Sequence, residues 1–559
     1  MNKGSARQLE RQIPTAGITR RQILAGASLL GLGSLITIPL LVACTKMTGG
    51  NHATPAGGNA ELKPTVSASN ANITPVSPRY KPKANVDLPP TQVLIPPTPI
   101  ATGDVEVVVR AGSTEQDDAT DVSSSEKDYL FSLTERQKIA HLLRRAAFGF
   151  DQAELDASVE TGIDMVIGKL VDFEKIDETL LVQRIVNAGL DFELPQELRR
   201  WWYLRMTYSP RPLEERLLLF WHGILTSSLK KVGRPSLMMA QNSLLRQLGS
   251  GSYELLLKRI GRDPAMLIWL DSRSNRKRAP NENYARELME LFTLGPGYFS
   301  EEDVRESARA FTGWGLSKPE NRETDPTFLF DETQHDYDEK SFLTNVGHFD
   351  GDDVVDIILN QEQAPRFVST KLWEFFAYDD PESEVIDRLA DVFVSSGYLV
   401  KEVVRAIFHS PEFYSERAYR TQIKSPLDLL IQTSKALQFD TNGKGFTSHS
   451  DRMGQIMFAP PDVNGWPGGT RWINSSAMLQ RANFAHQIVL ASRSAKYVNG
   501  DPVTYSRTEL TDLLLDGVAD PAMDEALDYF ESATHGLHSQ GVYRGMLYLF
   551  LAGPAYQRG

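Results

Sequence analysis

Glu287 and Glu290 stand one helical turn apart in the stretch 280–315, PNENYARELMELFTLGPGYFSEEDVRESARAFTGWG. Two carboxylates on one helical face can ligate a divalent metal ion. They can also act as general acid and base where their surroundings separate their pKa values. Asn283 and Arg286 fall on the same stripe at helical spacing and offer a polar shelf for a ligand. A structural account competes: Arg286, Arg305 and Arg309 could neutralise the glutamates between packed helices.

Four further groups could do chemistry. His222 follows Trp221 on an apolar helix face, where a lone histidine is either a catalytic base or a satisfied core residue. His335 and Asp336 sit in a polar insertion and are ordinary ligand types for a divalent metal, the one cofactor these residues suggest. Delivered to the glutamate helix, they would complete a set of Glu287, Glu290, His335 and Asp336. The acidic run at Asp350, Asp352 and Asp353 opens a helix, where carboxylates favour the dipole; it holds only part of a calcium loop. The segment MFAPPDVNGWPGGTRW, 457–472, carries three Gly and three Pro that fix its path. Asp462 is its catalytic candidate. Trp466 and Trp472, with Trp314 from the first stretch, are candidate stacking faces for a sugar-like or polymeric ligand. The alternative for this loop is a structural plug with both indoles buried.

The elements that must position these groups are helical. A helix opens at Asn281 and stops at Gly295 and Pro296. Ser300 with Asp303 forms a capping box for a second helix through Thr312, closed by Gly313. A short connection makes the two antiparallel neighbours. They could therefore bring Glu287, Glu290 and Arg286 to Arg305, Arg309 and Trp314. Helical spacing recurs at 135–147, 198–208, 213–225, 237–249, 253–261, 352–359, 365–378, 382–396, 399–408, 426–437, 476–492, 510–515, 524–534 and 542–551. Strand-like alternation is scarce. The expectation is an all-α, multi-helical single large domain over 129–559 with long loop insertions, the least helical of them at 316–351.

The chain has 559 residues, 41% hydrophobic and 23% charged, enough to bury a sizeable core. Its formal net charge is −13, which argues against general binding to nucleic acid. Arg273, Arg276, Lys277 and Arg278 read as a solvated loop. Paired Arg20 and Arg21 before a long apolar run look like a twin-arginine export signal. Leu41, Val42, Ala43 and Cys44 look like a lipoprotein cleavage box, with the single cysteine at the lipidation position; the alternative is an uncleaved apolar anchor. Residues 1–43 would be the leader. Residues 44–128, rich in Pro, Thr, Ala, Asn and Ser, would be a disordered tether with one short strand at 105–110. As a coil it spans on the order of 50 Å. The body is thereby expected outside the cytoplasm, held at a membrane by lipidated Cys44.

Several dispersed segments resemble one family. They are His141 through Gly149 (HLLRRAAFG), Phe220-Trp221-His222, Asp263-Pro264, the Asn281 to Gly295 helix, Ala310 to Trp314, His335-Asp336, Phe349 to Asp353, and Pro460 through Asn474. Together they look like the large bacterial exported family catalogued as domain of unknown function 1800. The resemblance covers the whole body in order. It implies export and an all-α fold and brings no established reaction. Ile224 departs from it, standing where the family tends to carry a second histidine, so a site needing two imidazoles lacks one here.

Two functional readings follow. In one, the chain is a cell-surface binding or assembly protein working with a co-exported partner. In the other, it is a metal- or carboxylate-dependent hydrolase of an extracellular polymer or glycoconjugate, with Glu287 and Glu290 at its centre, His222, His335 and Asp336 assisting, and Trp466 and Trp472 binding substrate. The first is preferred, because every catalytic candidate has a structural account. No serine-hydrolase elbow, phosphate loop, dinucleotide fingerprint or His-Glu-x-x-His is present.

Overall fold

The computed structural model describes residues 131–559 except 322–323, 492–496, 499–500, 503–504 and 537–538. The expected leader, lipidated Cys44, tether and 105–110 strand lie outside the described residues. The fold is all-α.

Several helices start where the sequence offers a cap or a first-turn proline. Thr134 accepts from the Gln137 amide while Gln137 reaches back, opening Glu135–Ala146. Proline at the first turn opens Pro195–Tyr208, Pro212–Ile224 and Pro235–Leu248. The expected Ser300–Asp303 box opens Glu301–Ala310. Asp350 caps Gly351–Leu359 by accepting from the Asp352 and Asp353 amides, so that acidic run serves a helix end.

The helices pack against one another in pairs. Pro212–Ile224 lies against Pro235–Leu248, Gln363–Phe376 against Ser383–Ser395, and Ser475–Ala491 against Ser539–Ala552. Buried apolar side chains from Ile139 to Tyr556 form one continuous core, in which Trp202, Trp221 and Trp373 are almost fully enclosed. Six α-helices were not anticipated among the described residues: Gln152–Thr161, Ile163–Val171, Thr179–Asn187, Leu229–Val232, Pro264–Trp269 and Phe446–Arg452. The first buries only Leu155, so its apolar stripe is too thin to read.

The 316–351 insertion is the least helical part, as expected. It holds two small hairpins, Trp314–Leu316 with Phe328–Phe330 and Lys340–Phe342 with Asn345–Gly347. Among the described residues no helix is long and apolar enough to cross a membrane.

Candidate functional site

The glutamate helix differs from expectation. It is α-helical only over Asn283–Glu287 and continues as a π-helix over Leu288–Thr293. The wider turn is held from its sides. Thr293 Oγ1 donates to the Leu288 carbonyl at 2.6 Å, and the Tyr253 hydroxyl donates to the Phe292 carbonyl. Such π turns are rare and are frequent at functional sites.

Glu287 and Glu290 are half-buried side by side and enter no salt bridge among the described residues. Burial raises the Glu287 pKa, and the Glu290 charge raises it further against Arg286. The arginines expected to neutralise them are engaged elsewhere. Arg286 grips Glu301 through two bonds of 2.8 Å, Arg305 pairs with Glu302, and Arg309 holds Asp336 at 2.8 Å and Glu306 at 2.8 Å. Asn283 Nδ2 donates to the Leu270 carbonyl at 3.2 Å, so it braces a loop.

The expected metal set is not brought together. His335 is 4% exposed, its Nδ1 lies 2.8 Å from the Thr312 carbonyl, and its ring packs between Phe330 and Tyr337. Asp336 is neutralised by Arg309, and its backbone amide donates to the Thr312 hydroxyl oxygen. Among the described residues no three His, Cys, Asp or Glu side chains gather to hold a metal ion. Trp314 is also a core residue. It packs on Phe311, Tyr284 and Phe328, with the Arg262 guanidinium 5.1 Å from its ring centre.

His222 and the 457–472 loop do meet. The His222 ring is buried among Trp202, Phe458 and Trp466, with centroids 5.3, 5.7 and 5.4 Å away. Burial drives its pKa down to about 3, so the imidazole is neutral. Its Nε2 and the Trp466 indole Nε1 are both buried and make no hydrogen bond among the described residues.

The loop is seated hard on the end of Pro212–Ile224. A Cβ on Gly465, where φ is +82°, would lie 2.1 Å from the Gly223 carbonyl oxygen. Phe458 is fully buried at a φ of +59°, Thr226 Oγ1 donates to the Val463 carbonyl at 3.1 Å, and the Leu229 amide donates to the Phe458 carbonyl at 2.7 Å. The outer side is free. Asp462 is exposed; its carboxylate accepts from the Asn464 backbone amide at 2.8 Å and its carbonyl from the Gly465 amide at 3.3 Å. The Asn464 side chain and the Arg471 guanidinium are exposed and make no bond to the described chain. Trp466 is half-buried. Trp472 is 5% exposed, a plug instead of the stacking face expected of it, because it closes the core beneath its 3-10 turn.

Two features had escaped sequence reasoning. Glu215 is wholly buried and receives Arg205 at 2.6 Å, Arg246 at 2.9 Å and the Trp202 indole at 3.1 Å. Burial alone would raise its pKa, but the charges of Arg246 and Arg205 outweigh that and hold it at about 2. Its neighbour Glu214 is pushed up to about 7 by burial and by the Glu215 charge. Two glutamates on a helix otherwise built of Leu, Phe and Trp were the available signal. Secondly, a polar cleft of about 410 Å³ is lined by Arg184, Phe439, Asp440, Thr441, Asn442 and Lys444; no expected site residue lines it.

An all-α protein with capped helices around a continuous core, a glutamate pair on a π turn and a seated Trp-rich loop is the class this geometry defines. Residues 141–558 match the family described as protein of unknown function (DUF1800), and the chain belongs to that family. No curated protein and no solved structure matches the chain.

Proposed function

We propose that this chain is an exported, lipid-anchored binding or assembly protein of the cell surface. It works with a co-exported partner and recognises a polymeric or sugar-like ligand through the 457–472 loop. One observation carries the reading. The loop is pinned by Gly465 against Gly223, while the outward side chains of Asn464 and Arg471 make no bond to the described residues and the exposed Asp462 carboxylate receives only the Asn464 backbone amide among them. A rigid backbone that presents unengaged polar groups loses little entropy on binding. The half-buried Trp466 adds an aromatic face beside them.

The test is co-sedimentation of the full chain with envelope polysaccharide from the producing cells. Binding by the wild type, lost in Asp462→Ala/Arg471→Ala at an unchanged urea midpoint, supports the loop. Equal binding by the variant, or none by either, removes it. For the anchor, Cys44→Ala should release the protein from the membrane fraction; retention would instead support an uncleaved apolar segment.

The hydrolase reading retains one specific support, the half-buried Glu287 and Glu290 with no salt bridge on a π turn. Their mutual repulsion predicts that Glu287→Gln/Glu290→Gln is as stable as the wild type or more so. A clear loss of stability would make the pair structural.

A further inference from the structure

Six basic side chains converge where the first helix of the body meets the C-terminal segments. Arg144, Arg216 and Arg420 have side chains 7%, 5% and 13% exposed. Arg145, Lys424 and Arg481 are 3%, 4% and 2% exposed as residues. Among the described residues only two buried carboxylates face them. Asp516 is held by Arg144 through two bonds of 2.5 Å and receives the Tyr419 hydroxyl at 2.7 Å. Asp428 is taken by Arg216 and by the Ser425 hydroxyl at 2.8 Å.

Two of the remaining cations are satisfied by carbonyls. Arg145 donates to Phe376 at 2.7 Å and Ala377 at 2.5 Å. Arg481 donates to the Trp472 and Lys424 carbonyls at 3.2 and 2.7 Å, and to Gln557 Oε1 at 3.0 Å. Arg420 and Lys424 are left over. Arg420 Nη2 reaches the Ala555 carbonyl at 3.0 Å, but Nη1 is buried without a hydrogen bond, 3.5 Å from Asp516. Lys424 Nζ stands 3.5 Å from the centre of the Tyr556 ring and makes no hydrogen bond or ion pair among the described residues.

Buried charge without a counter-charge is costly, and its removal from water is recovered only when good partners surround it. Here, among the described residues, the six buried cations outnumber the two buried carboxylates by four, and the two side chains with donors that lack hydrogen bonds, Arg420 and Lys424, stand four positions apart in one segment. Burial and the nearby Arg420 and Arg144 charges pull the Lys424 pKa well below the usual lysine range, against the weaker pull of Asp428 and Asp516. A tetrahedral dianion answers that excess better than a carboxylate, and guanidinium and ammonium groups are its ordinary donors.

We infer that Arg420 and Lys424, backed by Arg144, form an internal binding site for a phosphate-type oxyanion, either the free ion or the terminal phosphate of a ligand.

The test titrates the purified full chain with inorganic phosphate, and separately with a small phosphomonoester, against chloride at matched ionic strength. Calorimetry and the thermal midpoint are the readouts. The expected result is saturable binding of about one phosphate per chain and a midpoint that climbs with the logarithm of phosphate concentration. Lys424→Met should weaken binding at least tenfold while being no less stable than the wild type in chloride. Arg420→Gln is read in the same way should Lys424→Met fail to fold. Binding of both probes marks a site open to a phosphorylated ligand; binding of inorganic phosphate alone marks an enclosed ion site. A chloride response equal to that of phosphate, no saturable binding by the wild type, or wild-type affinity in a folded Lys424→Met would overturn the inference.

Discussion

Gly465→Ala should unseat the recognition loop. Two costs act at once. Alanine at a φ of +82° sits in the left-handed region, at about 1–2 kcal/mol for a residue with a Cβ. The new methyl would also lie 2.1 Å from the Gly223 oxygen. That neighbour is backbone at the end of a helix and cannot swing aside, so the loop itself must retreat. Forced over-packing typically adds about 1–3 kcal/mol, giving a total of about 2–5 kcal/mol. The retreat would stretch the Thr226–Val463 and Leu229–Phe458 bonds and open the His222–Trp466 contact. Hydrogen exchange read by mass spectrometry localises the effect. At about 1.4 kcal/mol per tenfold, the lower bound corresponds to roughly thirtyfold faster exchange over 457–473. Gly468→Ala is the control: its Cβ would meet nothing within 4 Å and its φ is −103°, so its effect should stay within about 0.5 kcal/mol. Should Gly465→Ala exchange no faster than Gly468→Ala, the loop is not held by this contact, and the argument for a rigid recognition element fails with it.

His222→Phe should flatten the acid limb of stability. The folded state holds this imidazole neutral with its pKa lowered to about 3, so its contribution is present above the unfolded value near 6.5 and lost as pH falls towards 3; urea midpoints across that window check it. Glu214 works in the opposite direction. With its folded pKa at about 7, its contribution is present below the unfolded value near 4.3 and lost as pH rises through 7, and Glu214→Gln should remove that decline. Glu215→Ala should cost about 3–5 kcal/mol in equilibrium unfolding, because Arg205 and Arg246 would lose their shared buried partner. A double-mutant cycle on Arg309 and Asp336 should return a coupling of about 1 kcal/mol, since the pair is bonded twice and only partly exposed.

Long amphipathic helices could be read from the sequence because they carry a wide apolar stripe, reinforced in some by a cap, as in Glu301–Ala310 with its Ser300 box. The π turn could not. The residues from Leu288 to Thr293 are of apolar types that suit either helix form, and one of the bonds that brace the turn comes from Tyr253, which is distant in sequence. The candidate residues separate for a similar reason. Residue type marked His335, Asp336 and Trp472 as chemical, but their use is decided by Thr312, Arg309 and the core, which only the fold supplies. The glycines of the 457–472 loop announced a fixed path. That Gly465 presses on Gly223 required the two segments to be placed together.

The bond between Arg144 and Asp516 joins residues 372 positions apart, and this sets a clock on biosynthesis. At ribosomal speeds of about 5–20 residues per second, the partner emerges some 20 to 75 s after the arginine. Throughout that interval the first helix of the body can coil and gather apolar neighbours, but its guanidinium must remain in water. Sealing the beginning of the body is therefore one of the last events of its maturation. A chain stopped before residue 516 lacks the carboxylate and keeps that cation unpaired, so incomplete copies differ from finished ones in charge exposure at the opposite end of the body.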